Sequence, residues 1–340
     1  GFSLFDVGGL FPYYSFHVFI FLFVSGYFYR EEAEQQLLRY IGKKCKALLI
    51  PYFIWNLAYG ILTVLLHRTG FSIGGELTLW NLFIEPFVSG HQFLYQFPAW
   101  FVPALFLIEV LNVLGRKVLS FLHLKKEWLI FAVSLLLGIA TVALAKGGHV
   151  WGYYKFPGRL LFMMPGFQLG RIYKEKLENR VNKISDGRYF FVVVGVQLLT
   201  TICCRGLAFS AVWVTGFANA AFIPYLTVVT GIAFWLRISD WISRIPSACS
   251  WFMEIGRHTY AIMMHHVFWF FVVNLICYLL SRTTVWCAEF DTAQFFSDIN
   301  YVYAIGSDVG KWFYLALGTG MPLLLANGTQ YIVGKKISRK

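Results

Sequence analysis

Charge is what this chain lacks most. Asp, Glu, Lys and Arg supply 14% of its 340 residues, against roughly a quarter in a soluble domain. Apolar residues reach 58%, aromatic residues 19%, and mean hydropathy is positive. A soluble globule of this length has no use for so much apolar surface, so a soluble enzyme and a disordered chain are excluded. Cys45, Cys203, Cys204, Cys249, Cys277 and Cys287 form no CxxC pair and no zinc spacing, which excludes a disulfide scaffold and leaves no metal site to expect. Cys204 and Cys287 could be bridged, but the six read first as inert apolar residues. Also missing are a Walker loop, a GxGxxG after a strand and a GxSxG elbow, so soluble nucleotide chemistry is not encoded. No repeat or low-complexity segment stands out.

What the chain has is long apolar runs. A spanning helix needs about 20 mostly apolar residues. Nine stretches qualify, near 10–29, 47–67, 99–115, 128–145, 156–173, 188–205, 219–237, 259–280 and 312–333. None alternates with the period of a membrane strand. The expected fold is therefore all-α, a polytopic transmembrane helical bundle forming one integral-membrane domain over 1–340.

The net charge of +12 could mean nucleic acid, but its distribution says otherwise. The alternate loops 30–46, 116–127, 171–188, 237–258 and 335–340 hold 22 of the 29 Lys and Arg residues. Basic loops stay on the cytoplasmic side, so these are inside and no nucleic-acid partner is expected. Residue 1 is then outside. Yet GFSLFDVGG is neither a signal peptide nor a basic leader. An upstream helix entering from the cytoplasm would resolve this, making nine helices present of ten. Two outer loops are long, 68–98 and 281–311, the latter carrying Glu289, Asp291, Asp298 and Asp308. Trp100, Trp128, Trp151 and Trp312 lie near span ends, as interfacial anchors do.

Ionisable groups within spans are costly and mark candidates. His17 falls about two turns below the outer surface, where a neutral imidazole is either a general base or a structural donor. His265 and His266 fall about two turns above the inner surface. Adjacent helix positions diverge by about a hundred degrees, so at most one faces an internal cavity. Glu109 lies mid-membrane with Asn112 on the same face, either as a protonated acid bonded to Asn112 or as a relay or substrate contact. Arg159 enters from outside, to bind an anion or to snorkel. Inside, Arg30, Arg39, Lys43, Lys44 and Lys46, with Arg257 and His258, either meet an anionic ligand or fix topology and touch lipid. These properties fit a transporter as well as an enzyme.

Five motifs, in order, carry a resemblance. SFHVFIFLFVSGYFYR (15–30), KALLIPYFIW (46–55), AWFVPALFLIE (99–109), GRLLFMMPGFQLGRIY (158–173) and IGRHTYAIMMHH (255–266) resemble segments of the membrane acyltransferase-3 family. On this match His266, rather than His265, takes the family's late histidine position. The family has ten helices, and its first, bearing the histidine regarded as the catalytic base, would precede Gly1.

The resemblance implies a membrane O-acyltransferase in the plasma membrane, multi-pass, of a bacterial cell. It would move an acyl group, usually acetyl, from acyl-CoA inside to a hydroxyl on a glycan or lipid-linked acceptor outside. Acyl-CoA would be a substrate, with no permanently bound cofactor, and lipid would be the standing partner. The resemblance implies that Arg30, Lys43, Lys44 and Arg257 meet the CoA phosphates. It likewise implies that His17 supports catalysis, that His266 takes part, and that Ser25, Trp100, Glu109 and Arg159 line the acceptor end or transfer path. The competing expectations are a glycan or lipid transporter or flippase without covalent chemistry, and a sensor or scaffold membrane domain.

Overall fold

The computed structural model describes residues 7–150, 152, 155–303 and 310–337, with side chains in the last helix as far as Gly328. Gly1, Trp151, Asp308 and the side chains of 335–340 lie outside the described residues. Among the described residues, regular structure is helical apart from one antiparallel bridge between Ser210 and Thr215. The main helices are α1 (His17–Tyr27), α2 (Leu37–His67), α3 (Leu94–Phe121), α4 (Glu127–Lys146), α5 (Lys155–Ile172), α6 (Asp186–Cys203), α7 (Ile223–Ser243), α8 (Pro246–Arg257), α9 (Thr259–Thr283) and α10 (Gly310–Ile337). Each of the nine apolar stretches falls on one of them.

Five of these helices, α2, α3, α4, α6 and α9, are long and apolar enough to cross a membrane. Helix α1 is apolar but only 11 residues long. The expected start near residue 10 is displaced because Pro12 lacks an amide donor and biases the residue before it away from helix. Residues Tyr13–Ser15 form a 3-10 turn instead, and the Ser15 hydroxyl donates to the Pro12 carbonyl at 2.7 Å. Helix α5 is long enough but carries Lys155, Arg159, Gln168 and Arg171, all buried.

The chain forms two compact units, Gly1–Ala47 with Ala104–Arg244, and Leu48–Pro103 with Ile245–Lys340. In the first, α1 lies directly on α5. Gly166 and Gly170 set a GxxxG stripe on α5, which permits backbones to approach closely. A Cβ on Gly26 of α1 would fall 1.9 Å from the Phe167 carbonyl oxygen, and one on Gly170 would fall 1.9 Å from that of Phe23. Toward the other end, Phe19, Phe162 and Phe209 meet edge to face, Phe19 and Phe162 at 5.2 Å.

In the second unit the two long loops meet. Phe71 stacks on Phe296 at 4.2 Å, and the Ser72 amide donates to the Phe296 carbonyl at 2.9 Å. Beneath them an aromatic core gathers Phe93, Tyr95, Phe271, Phe290, Phe295 and Tyr301. Below the loops Asn56 is completely buried. Its amide donates to the Leu82 carbonyl at 2.8 Å, and its oxygen accepts from Gln92 and Gln96 at 2.8 and 2.5 Å.

Candidate functional site

The ends of the first unit that the charge pattern places inside are tied together by ionised groups. Asn112 and Arg116 share a face of α3, four residues apart. Arg116 is 1% exposed. Its Nε donates to Asn112 at 2.9 Å, its two terminal nitrogens grip Glu127 at 2.6 and 2.8 Å, and one also reaches Gln168 at 2.9 Å. A two-pronged guanidinium–carboxylate bond fixes both distance and plane. Glu127 opens α4, where a negative charge also suits the helix N-terminus.

Arg171, at the end of α5, extends this network. It donates to the Tyr29 carbonyl at 3.1 Å and to Glu31 at 2.9 Å, and it pairs with Glu175. Lys125 bonds Glu34 at 2.9 Å and Glu31 at 3.3 Å. Burial works against the Lys125 ammonium, yet the bonds and charges of Glu34 and Glu31 hold its pKa above the usual lysine value. Burial and the neighbouring carboxylates push Glu175 up despite Arg171. Carboxylate oxygens of Glu31, Glu127 and Glu175 lie within 4.8 Å of one another, close enough to hold a cation. Arg171 already approaches all three and supplies the positive charge there.

Beside the network is an open cavity of about 870 Å³, lined by Lys125, Lys126, Lys176, Trp128 and these three carboxylates. The carboxylates are engaged by arginine and lysine. The exposed ammonium groups of Lys126 and Lys176 and the exposed Trp128 indole therefore offer charge-assisted bonds and a stacking surface to an anionic ligand.

Glu109 belongs to the same end of α3. It is 2% exposed, and Lys44 donates to it at 2.7 Å. Asn112, the partner expected from spacing, is taken by Arg116 and Gln168 instead. Arg30 and Lys43 are exposed, and Lys44 is half-buried.

At the opposite end of the first unit, His17 is the first residue of α1 and half-buried. Its Nδ1 lies 2.7 Å from the Tyr13 carbonyl. A carbonyl only accepts, so Nδ1 holds the proton and Nε2 carries a lone pair. Ser25 is half-buried further along α1. Arg159 is 1% exposed, and its Nε donates to the Val212 carbonyl at 3.1 Å. The neighbouring Lys155 ammonium stands 3.8 Å over the Trp213 ring.

In the second unit the two adjacent histidines diverge. His265 is buried, 2.8 Å from the Tyr59 hydroxyl and edge-on to Trp55 at 4.3 Å. His266 is half-buried, and its Nδ1 lies 2.8 Å from the Ile262 carbonyl, which again leaves the lone pair on Nε2. Trp100 is buried. Arg257 is exposed at the end of α8 and reaches Glu254 at 3.4 Å, and His258 lies 3.2 Å from the same carboxylate.

Of the residues singled out in the sequence, the structure joins Lys44 to Glu109 and sets His17 and Ser25 on one short helix. Arg116, Gln168, Arg171, Glu31 and Glu127 form one connected polar cluster in the first unit, and composition counts do not single them out. Gln168 was the visible signal, a carboxamide in an otherwise apolar helix face beside a GxxxG stripe.

Fold and site together define a multi-pass, all-α membrane protein with an ionic network buried at one end of its first unit. A family model described as the acyltransferase domain, acyltransferase family 3, matches residues 2–288, and the chain belongs to that family. It is in general terms a membrane acyltransferase. No curated protein and no solved structure matches it.

Proposed function

We propose that this protein transfers an acetyl group from cytoplasmic acyl-CoA to a hydroxyl of an extracytoplasmic glycan or lipid-linked acceptor, in the plasma membrane of a bacterial cell. The observation that carries this reading is the family match over residues 2–288. The inner end of the first unit supports it. Lys125, Lys126 and Lys176 border an open cavity with Trp128, a combination suited to phosphates and an adenine ring. The exposed Arg30 and Lys43 add charge for the same donor. Lys44, held by Glu109, acts as a positioning residue there. Arg257, in the second unit, is a further exposed cation on a segment that the charge pattern assigns inside.

In the reaction a histidine base takes the proton of the acceptor hydroxyl while its oxygen bonds to the thioester carbonyl carbon. The carbon–sulfur bond breaks, and CoA leaves as the thiol. His17, with Nδ1 fixed on Tyr13, supports the acceptor end of the first unit together with Arg159, and Ser25, further along α1, lines the transfer path. Glu109 lies on the path from the donor. In the second unit His266 offers the same tautomer, and Trp100 is buried.

The test is chemical analysis of the cell envelope from cells that carry or lack the protein. Ester-linked acetyl groups, released by mild base, should appear on envelope carbohydrate only with the protein present. An identical ester content in both would refute the assignment.

A further inference from the structure

Cys277 and Cys287 are brought together at one end of the second unit. Cys277 lies near the end of α9 and is 4% exposed, while Cys287 is half-exposed in the turn that follows, and both are thiols here. Cys287 packs against the aromatic cluster to which Cys277 belongs. The two thiols lie close enough to interact directly. The turn is fixed around them. The Phe290 amide donates to the Cys287 carbonyl at 3.0 Å, and the Phe290 ring lies 6.1 Å from that of Tyr278, the neighbour of Cys277. Cys287 is also held at φ +59°. Residues with a Cβ seldom adopt this left-handed region, and where they do the surrounding structure holds them there.

We propose that Cys277 and Cys287 form a disulfide on the outer face of the membrane, closing the turn after α9 and stapling the loop 284–303 to that helix. The charge asymmetry of the sequence assigns 281–311 to the outside, where thiols meet an oxidising environment. Cys287, the accessible member, reacts first with the disulfide of an exofacial thiol–disulfide oxidoreductase, giving a mixed disulfide. Cys277 then attacks the Cys287 sulfur and releases the oxidoreductase as its dithiol. The pair loses two protons and two electrons, and the oxidoreductase disulfide accepts them. The staple anchors more than its own turn, because Phe296 of this loop stacks on Phe71 of the other long loop.

The full chain in its native membrane provides the test. Free thiols are blocked with N-ethylmaleimide during denaturing extraction, and the protein is digested without reductant. A peptide joining Cys277 to Cys287, lighter than the dithiol pair by two hydrogen atoms and lost on reduction, is the expected result. Recovery of both cysteines as maleimide adducts would overturn the proposal. In a Cys277→Ser variant, Cys287 should become reactive toward a membrane-impermeant maleimide added to intact cells. Labelling of Cys287 only after the inner face is opened would also overturn it. Neither outcome depends on acyl transfer, so this proposal and the functional one can fail separately.

Discussion

Lys44 and Glu109 meet at 2.7 Å, although 65 residues separate them in the chain. The sequence places one among the inner cations and the other in the middle of a span. Their contact draws Glu109 into the same inner polar region as Asn112 and Arg116 of its own helix. It also leaves Lys44 committed to a carboxylate, whereas Arg30 and Lys43 are exposed.

Breaking this pair from one side should be costly. Lys44→Met leaves a carboxylate buried without its counter-charge, a loss of about 3–5 kcal/mol in stability. Combining it with Glu109→Gln should recover most of that loss. Unfolding of the detergent-solubilised single and double variants measures this directly. Additive losses would show that the pair is not coupled.

The contact between α1 and α5 sets a second expectation. Gly170→Ala places a methyl group 1.9 Å from the Phe23 carbonyl oxygen, where no side chain can rotate away. Overpacking of this kind costs about 1–3 kcal/mol. Gly42→Ala, whose added Cβ meets nothing within 4 Å, serves as the control and should hold or gain stability. Thermal unfolding of the two alanine variants should therefore move in opposite directions.

Asn56 makes a comparable case in the second unit. Asn56→Leu strips the Leu82 carbonyl and the Gln96 amide of the Asn56 bond and leaves the Gln92 amide only the Tyr52 hydroxyl. Buried polar groups left unpaired cost about 1–3 kcal/mol each. The variant should lose about 3 kcal/mol or more, read as a lower unfolding midpoint in detergent.

Glu175 gives a pH signature. Its pKa is raised above the ordinary 4.5 by burial and by Glu127 and Glu31, against the pull of Arg171. The folded protein therefore holds this proton more tightly than the unfolded chain. Its contribution to stability falls as pH rises from 4.5 through the raised value. Glu175→Gln cannot ionise, so its unfolding temperature should fall less steeply over that window. An unchanged slope would place the pH dependence elsewhere.

Legibility in the sequence followed the kind of physics involved. Each long apolar run became a helix, because a run of that length has no other way to satisfy its backbone in lipid. The start of α1 was misplaced because Pro12 redirects the backbone before the apolar run has its effect. The loops assigned to one side do meet within each unit, as Phe71 with Phe296 and Glu31 with Arg171 show. The ionic network was not legible. Arg116 and Arg171 look like topology charges until the fold brings Glu127, Gln168 and Glu31 to them. Glu109 illustrates the same limit, since local spacing pointed to Asn112 and the fold supplied Lys44. Cys287 offers a third case, for its neighbour is Cys277 and not the Cys204 that the sequence brought to mind.

On the proposed function, this membrane protein cleaves a thioester supplied at its inner face. The most direct measurement is release of CoA thiol from acetyl-CoA by vesicles of opposite orientation containing the full-length protein and its native envelope glycan. Inside-out vesicles should release thiol and gain ester-linked acetyl groups, while sealed right-side-out vesicles should do neither. Passage of glycan across the membrane with no thiol released in either orientation would contradict the account and make the protein a transporter.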